Sequence, residues 1–490
     1  MLPITPDAET LRLELALHPD DAARLSRLRL IAARRASPTR SRRLRMVWHD
    51  TPDAALEHEG LALLERAHGM RLERMRPNGE LWVPGTPPPV VADPPAPEAL
   101  PGPLLPWAAL EGKTSTLTLT GEAGPVTLSL LRGTMKSVKA DKAACRMQLE
   151  GPPAEVLPLA AELAGELRAS VPPTVLSAEA LAMARNTPAE ARRLGAPELR
   201  TGMTVVEALT EVMAHLTDVL LHHASHVGLG APEAVHQARV AMRRMRSAIS
   251  LFRRAADGPA VATMAAGLKG LGKALGPARD WDVFVRGLGA EVGQVFAEDP
   301  AVRRLLRVAE ERRRAAYAAL DAYLQSPAYR QLGVACVALA SGSGLADPAN
   351  EAATAALDDK LEPFALAALE RRDGKLRGIG EAIEDMPPAA LHEVRLQGKR
   401  LRYAAEFFAP LWSGKAARRY VRRLAVLQER LGVLNDAAVA AGLLASLPGG
   451  PGHAGAAGVV RGFAAAGLRR HRPRILRAWE KFNEAPVFWA

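Results

Sequence analysis

Two short segments bring together side chains suited to binding an anion. "HQARVAMRRMRSAIS" (236–250) holds one histidine and four arginines, and "HEVRLQGKRLRYAAE" (392–406) repeats the arrangement. On a helix turning about 100° per residue, Arg239, Arg243 and Arg246 fall within ~80° of His236 on one face. His392, Arg395, Lys399 and Arg402 repeat that face, while Arg244 and Arg400 point to its flank. A solvated helix would intersperse acids four residues away to relieve such crowding. No acid occurs within 236–256, and only Glu393 and Glu406 stand near the second cluster. The compensating charge is therefore expected from outside the chain. Guanidinium forks match phosphate oxygens bidentately, and Lys399 supplies a point charge. The two histidines fit a structural hydrogen-bonding role and a phosphate-donor role equally well.

The elements that position these residues come in two copies. His236 and His392 are 156 residues apart, as are "LGPARDWDV" (275–283) and "LGVLNDAAV" (431–439), which marks an internal duplication. Asp280 and Asp436 occupy equivalent positions in the second motif and read as caps or internal partners of a crowded arginine. No acid pair with catalytic spacing repeats in both copies. Val240, Ile249 and Leu251, with Leu401 and Phe408, are expected to anchor the packing. Breaks at 341–350 and 446–458 separate long helices.

With 490 residues the chain is long enough for several domains. Residues 1–200 carry 25 Lys+Arg against 24 Asp+Glu, whereas residues 201–490 carry 39 against 29, so the positive excess lies in the duplicated part. Such asymmetry points to an anionic partner there. The two cysteines have no metal-ligand or disulfide spacing. No signal peptide and no run of ~18 apolar residues is visible, so a cytoplasmic, non-membrane protein is expected. Alternation over 10–17, 115–120 and 126–130 predicts strands, and 19–36 and 155–169 predict helices. The proline run within 84–106 predicts a stiff loop. "GLKGLGKA" (267–274) lacks the Ser or Thr of a phosphate-binding loop and no strand precedes it. His222 and His226 in "HHASH" lack the companion ligand of a zinc helix.

The sequences "VHQARVAMRRMRSAISLF", "LGPARDWDVF", "LHEVRLQGKRLRYAAEFF" and "LGVLNDAAVA" resemble the CHAD family, the conserved histidine α-helical domain, over residues 203–490. The resemblance implies an all-α pair of four-helix bundles, about 203–340 and 352–490, related by a pseudo-twofold axis. It implies a central basic channel for inorganic polyphosphate and association with polyphosphate granules. The implied contacts are His236, Arg239, Arg243, Arg244, Arg246, His392, Arg395, Lys399, Arg400 and Arg402, with Lys269, Lys273, Arg422 and Arg423 from neighbouring helices.

Residues 1–185 resemble the CYTH, or triphosphate tunnel, metalloenzymes through "LRLELALHPDDAARL", "LRMVWHDTPDAALEHEGLALLER", "GPVTLSLLRG" and "LAAELAGEL". That resemblance implies an α+β domain with an antiparallel, tunnel-like β-barrel, joined by a linker at 186–202. The family's first-strand metal acids and lysine align with Thr10, Arg12 and Glu14. Its later acids align with Arg146 and Gln148, its late S-K-x-x-R stretch with Ala178 and Leu181, and its arginine pair with Leu64 and Arg66. Hydrolysis of a phosphoanhydride there needs carboxylates to hold the ion. The expected function is polyphosphate binding without catalysis, metal or cofactor. The alternatives are a triphosphatase fed by the basic domain, with Glu9 and Glu14 taking the metal, and a nucleic-acid binder. The lack of aromatic residues among the arginines argues against the last.

Overall fold

The computed structural model describes residues 10–75, 82–91, 102–186, 195, 197–228, 230–380, 383–412, 414–449 and 452–489. Its N-terminal part is an eight-stranded antiparallel sheet, comprising β1 (Leu11–Leu17), β2 (Arg40–Asp50), β3 (Leu61–Arg66), β4 (Gly69–Arg74), β5 (Leu105–Leu119), β6 (Val126–Ser137), β7 (Asp141–Gly151) and β8 (Ala169–Ser170). The spatial order is β4-β3-β2-β5-β6-β7-β1-β8. Leu11, Leu13, Leu15 and Leu17 on β1 bury one face, while Arg12 and Glu14 face a cavity on the other. The hydrogen-bonded ladder has β4 and β8 as its edges, and β1 to β7 all contribute side chains to that cavity.

The helix expected over 19–36 is instead a 3-10 turn (Pro19–Asp21) followed by α1 (Ala22–Leu25) and α2 (Arg29–Arg34). Leu28 is extended at ψ 134°, and the Asp21 carboxylate accepts from the backbone and guanidinium of Arg168, pinning the turn beside β8. The "DTPDAAL" stretch folds around the buried carboxylate of Asp50. It accepts from the amides of Thr51, Leu56 and Glu57 and so caps α3 (Ala55–His58). Gly85 takes φ +83° and its carbonyl accepts from Glu14. A Cβ there would meet Val171 at 2.9 Å. Helices α4 (Pro153–Glu166) and α5 (Leu176–Arg185) complete this part.

The remainder is helical: α6 (Val205–Ala224), α7 (Pro232–Phe252), α8 (Pro259–Arg286), α9 (Leu288–Val295), α10 (Pro300–Leu324), α11 (Pro327–Ala340), α12 (Glu351–Asp358), α13 (Leu361–Gly380), α14 (Pro388–Phe408), α15 (Lys415–Ser446) and α16 (His453–Asn483). The starts of α6, α7 and α8 and of α13, α14 and α15 repeat the 156-residue offset of the motifs: Val205 and Leu361, Pro232 and Pro388, Pro259 and Lys415. Proline at the first turn of α7, α8 and α14 loses no hydrogen bond, and a capping box between Thr204 and Glu207 opens α6.

Equivalent residues meet one another. Thr204 bridges Lys360, with Val205 N donating to Asp359 O (3.0 Å) and Leu361 N to Met203 O (2.9 Å). The donors Val205 and Leu361 are equivalent, as are the acceptors Asp359 and Met203, so each bond has its mate running the other way between the copies, the mark of a twofold relation. Phe252 and Phe408, again equivalent, lie edge to face at 6.2 Å. Met242, Met245, Ala248 and Leu251 bury the inner face of α7, so the expected anchor Leu251 is in the core, whereas Val240 and Ile249 are half-buried. No described helix is long and apolar enough to cross a membrane.

Candidate anion-binding site at the crossing of two helices

α7 and α14 pack against each other, and their basic faces converge. Arg239 and Arg243 of α7 and Arg395, Lys399 and Arg402 of α14 form one group of cations, whose fields converge on Lys399. Burial and then the fields of Arg243, Arg395, Arg239 and Arg402 push the Lys399 ammonium down to about 7. Burial likewise lowers Arg239 and Arg395, partly opposed by Asp280 and Asp436 respectively. His236 is also lowered, by burial and then by Arg279, which keeps the imidazole neutral at pH 7.

Some of these side chains already have partners. Arg239 lies 3.7 Å from Asp280, which sits inside α8 as an internal counter-charge rather than as a cap. Arg395 donates to Asn435 at 3.0 Å, and its Nε has no hydrogen-bond partner among the described residues. Arg243 donates to the Tyr403 hydroxyl. Arg244 is turned into an ion pair with Glu406 and donates to the Gly195 carbonyl, with its side chain only 11% exposed. Arg402 shares Glu406 at 3.4 Å. One carboxylate therefore serves the flank of the cluster, leaving Arg246, Lys399 and Arg400 without a hydrogen bond or ion pair among the described residues.

Arg243, Arg246, Lys399 and Arg400 border a cavity of about 310 Å³ with Ser247, Ser250, Arg372 and Tyr403. His392 and Arg395 border a second, mostly apolar hollow between α14, α15 and α16. Lys269 and Lys273 are exposed on the stripe of α8 that also carries Gly276 and Asp280, so they extend the basic face from Arg239. Arg422 and Arg423 are not brought to the cluster. Arg423 donates to the Lys481 carbonyl at the end of α16, and Arg422 is exposed, about 120° around α15 from Gln428, which abuts α14 at Gly398.

Arg372 of α13 was not singled out by the duplication. Burial and then Arg371 and Arg400 push it down to about 10, and its Nη1 has no partner among the described residues. Its counterpart 156 residues earlier is Leu216, and that of Tyr403 is Ser247, so a search for matched pairs passes over both. The legible signal was the basic pair in "LERRDGK".

Residues 211–445 match the family model described as CHAD domain. This part of the chain is similar to the CHAD family. A crystal structure of the CHAD domain from the plant Ricinus communis is 28% identical with a TM-score of 0.53, covering 61% of this chain and 98% of its own. PptA from Streptomyces chartreusis is 17% identical with a TM-score of 0.44, covering 57% and 100%. No curated protein matches the chain. The CHAD region holds the basic crossing, and the sheet domain precedes it as a separate architecture.

That sheet domain has its own arginine-rich cavity, also about 310 Å³, bordered by Arg12, Arg42, Arg66, Arg71 and Arg146 together with Glu14 and Glu73. Here three of the five arginines are paired with acids of the same domain. Arg146 bridges Glu14 (3.1 Å) and Glu179, Arg71 pairs with Glu73, and Arg12 reaches Glu150 at 2.9 Å. Burial raises the Glu14 carboxyl and Arg146 opposes that rise. Glu9 lies outside the described residues. Among the described residues no group of three or more His, Cys, Asp or Glu is placed to hold a metal ion.

Proposed function

We propose that the crossing of α7 and α14 binds inorganic polyphosphate and that the chain holds the polymer without hydrolysing it. The observation that carries this reading is the convergence of Arg239, Arg243, Arg395, Lys399 and Arg402 with, among the described residues, only Asp280, Asp436 and Glu406 near them. A phosphate chain supplies the missing negative charge along its whole length, and desolvated guanidinium groups bind it strongly. The match of residues 211–445 to the CHAD family model supports the choice of polyphosphate, and association with polyphosphate granules is part of the same proposal. Catalytic silence in the sheet domain is supported by Arg12 where the related enzymes carry a metal-binding acid, and by the ion pair that occupies Glu14.

The test is competition on the full chain at near-physiological salt. Labelled polyphosphate should resist displacement by DNA of equal phosphate content, because Tyr403, the aromatic ring at this cavity, is buried and held by Arg243 and offers bases no open face to stack on. Equal displacement per phosphate would reduce the site to a general polyanion patch. Phosphate release from tripolyphosphate, assayed with magnesium and manganese, should stay at background. Metal-dependent turnover abolished by Glu14→Gln would favour the hydrolase reading.

A further inference from the structure

We propose that Lys399 is a covalent modification site, acylated by small acyl phosphates whose phosphate is anchored by the surrounding arginines. The inference rests on the reading of this cluster as a phosphate-anion site, and adds to it a chemical reaction and a means of regulation.

Three features of the geometry point to Lys399. It borders an open cavity of about 310 Å³ shared with Arg243, Arg246, Arg372 and Arg400, which leaves room for a phosphate with a short acyl group. Among the described residues, every ionised side chain bordering that cavity is a cation. Of the nearby acids, Glu406 is engaged by Arg244 and Arg402, Asp280 stands against Arg239, and Asp436 acts on Arg395. The amine therefore has no carboxylate to hold its proton, and crowded cations disfavour the ammonium form. With its titration near 7, about half of it is neutral at pH 7, against roughly one part in 10³ or less for an ordinary lysine of pKa about 10.4. Lysines activated by desolvation or by a neighbouring cation are nucleophiles for carbonyl carbon.

The step balances without a further reagent. The Nζ lone pair attacks the carbonyl carbon of the acyl phosphate, and a C–N bond forms as the C–O bond to phosphorus breaks. Orthophosphate leaves with the bonding pair and remains on the arginines that positioned it. The surplus proton on nitrogen passes to the departing phosphate or to water. The product is a neutral amide in place of a cation at the centre of the cluster, so acylation should weaken the site's hold on phosphate chains. Lys269, Lys273 and Lys415 are exposed and provide reference amines in the same molecule.

The full-length protein is incubated with acetyl phosphate at pH 7 and acetyl-lysine is quantified by peptide mass spectrometry. Lys399 should react at least tenfold faster than each of the three reference lysines. Arg246→Ala removes an exposed anchor that is not among the groups setting the Lys399 titration. It should slow acetyl phosphate about tenfold and leave an uncharged acetylating ester unaffected. Parity of Lys399 with the reference lysines, or equal slowing with both reagents, overturns the proposal. Excess tripolyphosphate should protect Lys399. Rapid acetylation without protection leaves the modification standing and removes the polyphosphate reading. Calorimetric binding of tripolyphosphate with slow acetylation does the reverse.

Discussion

The chain contains two arginine-rich hollows of similar size, and they differ in where their negative charge comes from. In the sheet domain Arg12, Arg71 and Arg146 meet Glu150, Glu73, Glu14 and Glu179. At the helix crossing, cations from α7, α13 and α14 face one another across a cavity with no acid on its border among the described residues. Counting arginines does not separate the two. Asking whether acids stand among them does, because an uncompensated desolvated charge costs stability unless something outside the fold repays it. The first hollow is built like a structural core that happens to be ionic, and the second like a receptor.

The largest test of this contrast is to remove equivalent pairs. Arg239→Ala with Arg243→Ala, and Arg395→Ala with Lys399→Ala, should each weaken polyphosphate binding by about 3 kcal/mol or more, ~100-fold in Kd, since hydrogen bonds to charged groups contribute about 1.5–3 kcal/mol each. Loss from one pair and none from the other would break the single-site picture. Titration by isothermal calorimetry reads both.

Next comes pH. Lys399 titrates below its ordinary value, so the free protein loses that proton as pH rises past 7, and a bound phosphate chain should restore it. Affinity should therefore fall about tenfold between pH 6.5 and 8.5, with proton uptake visible as a buffer-dependent heat. Lys399→Arg should flatten the profile. The sign for folding is opposite: the unfolded chain keeps the proton up to about 10.4, so this group's penalty is full below 7 and is relieved as pH climbs between those values.

A smaller effect is expected at Arg372. Arg372→Ala should cost about 1 kcal/mol of binding, roughly fivefold in Kd, with little change in melting temperature. No change in Kd would confine the site to α7 and α14. The smallest effect on binding, none, is expected for Arg146→Gln in the other hollow. Because it strands Glu14 and Glu179, it should destabilise the fold by about 3 kcal/mol, read as a lower Tm. A change in polyphosphate affinity at unchanged Tm would mean that the two hollows are not separate in function.

Much of the helical part was legible because duplication converts weak local patterns into matched ones. The spacing of His236 and His392 located α7 and α14, whereas the paired "LG" motifs, whose Asp280 and Asp436 also read as caps, lie in the interior of α8 and α15. What broke the symmetry stayed hidden: Arg372 and Tyr403 have Leu216 and Ser247 as counterparts, and Glu406, which neutralises Arg244, corresponds to Ser250. In the sheet domain β1 was readable, since one of its faces is purely leucine. β2 was not, because Arg42 lines the inner cavity while Arg43 lies outward beside Lys113 and Arg132, so both faces of its first half carry arginine and no alternation shows. The helix over 19–36 failed at Leu28 and Asp21, where a contact with Arg168, distant in sequence, overrode local periodicity.

Helix α11 has no counterpart helix among the described residues, since a 156-residue offset from its start at Pro327 reaches Asn483, where α16 ends. It lies against α6 and α8 on one side and α4 on the other. Arg330 donates to the Ala164 carbonyl at 2.8 Å, Gln331 to Ala161, and Gly333 faces Val171. Through it the apolar core runs without a gap from Leu13 on β1 to Phe252 and Phe408 at the helix crossing. Cooperativity follows core continuity rather than changes of architecture. In a calorimeter this chain should therefore show one endotherm, and ligand held at the helix crossing should delay the melting of a sheet that never touches it.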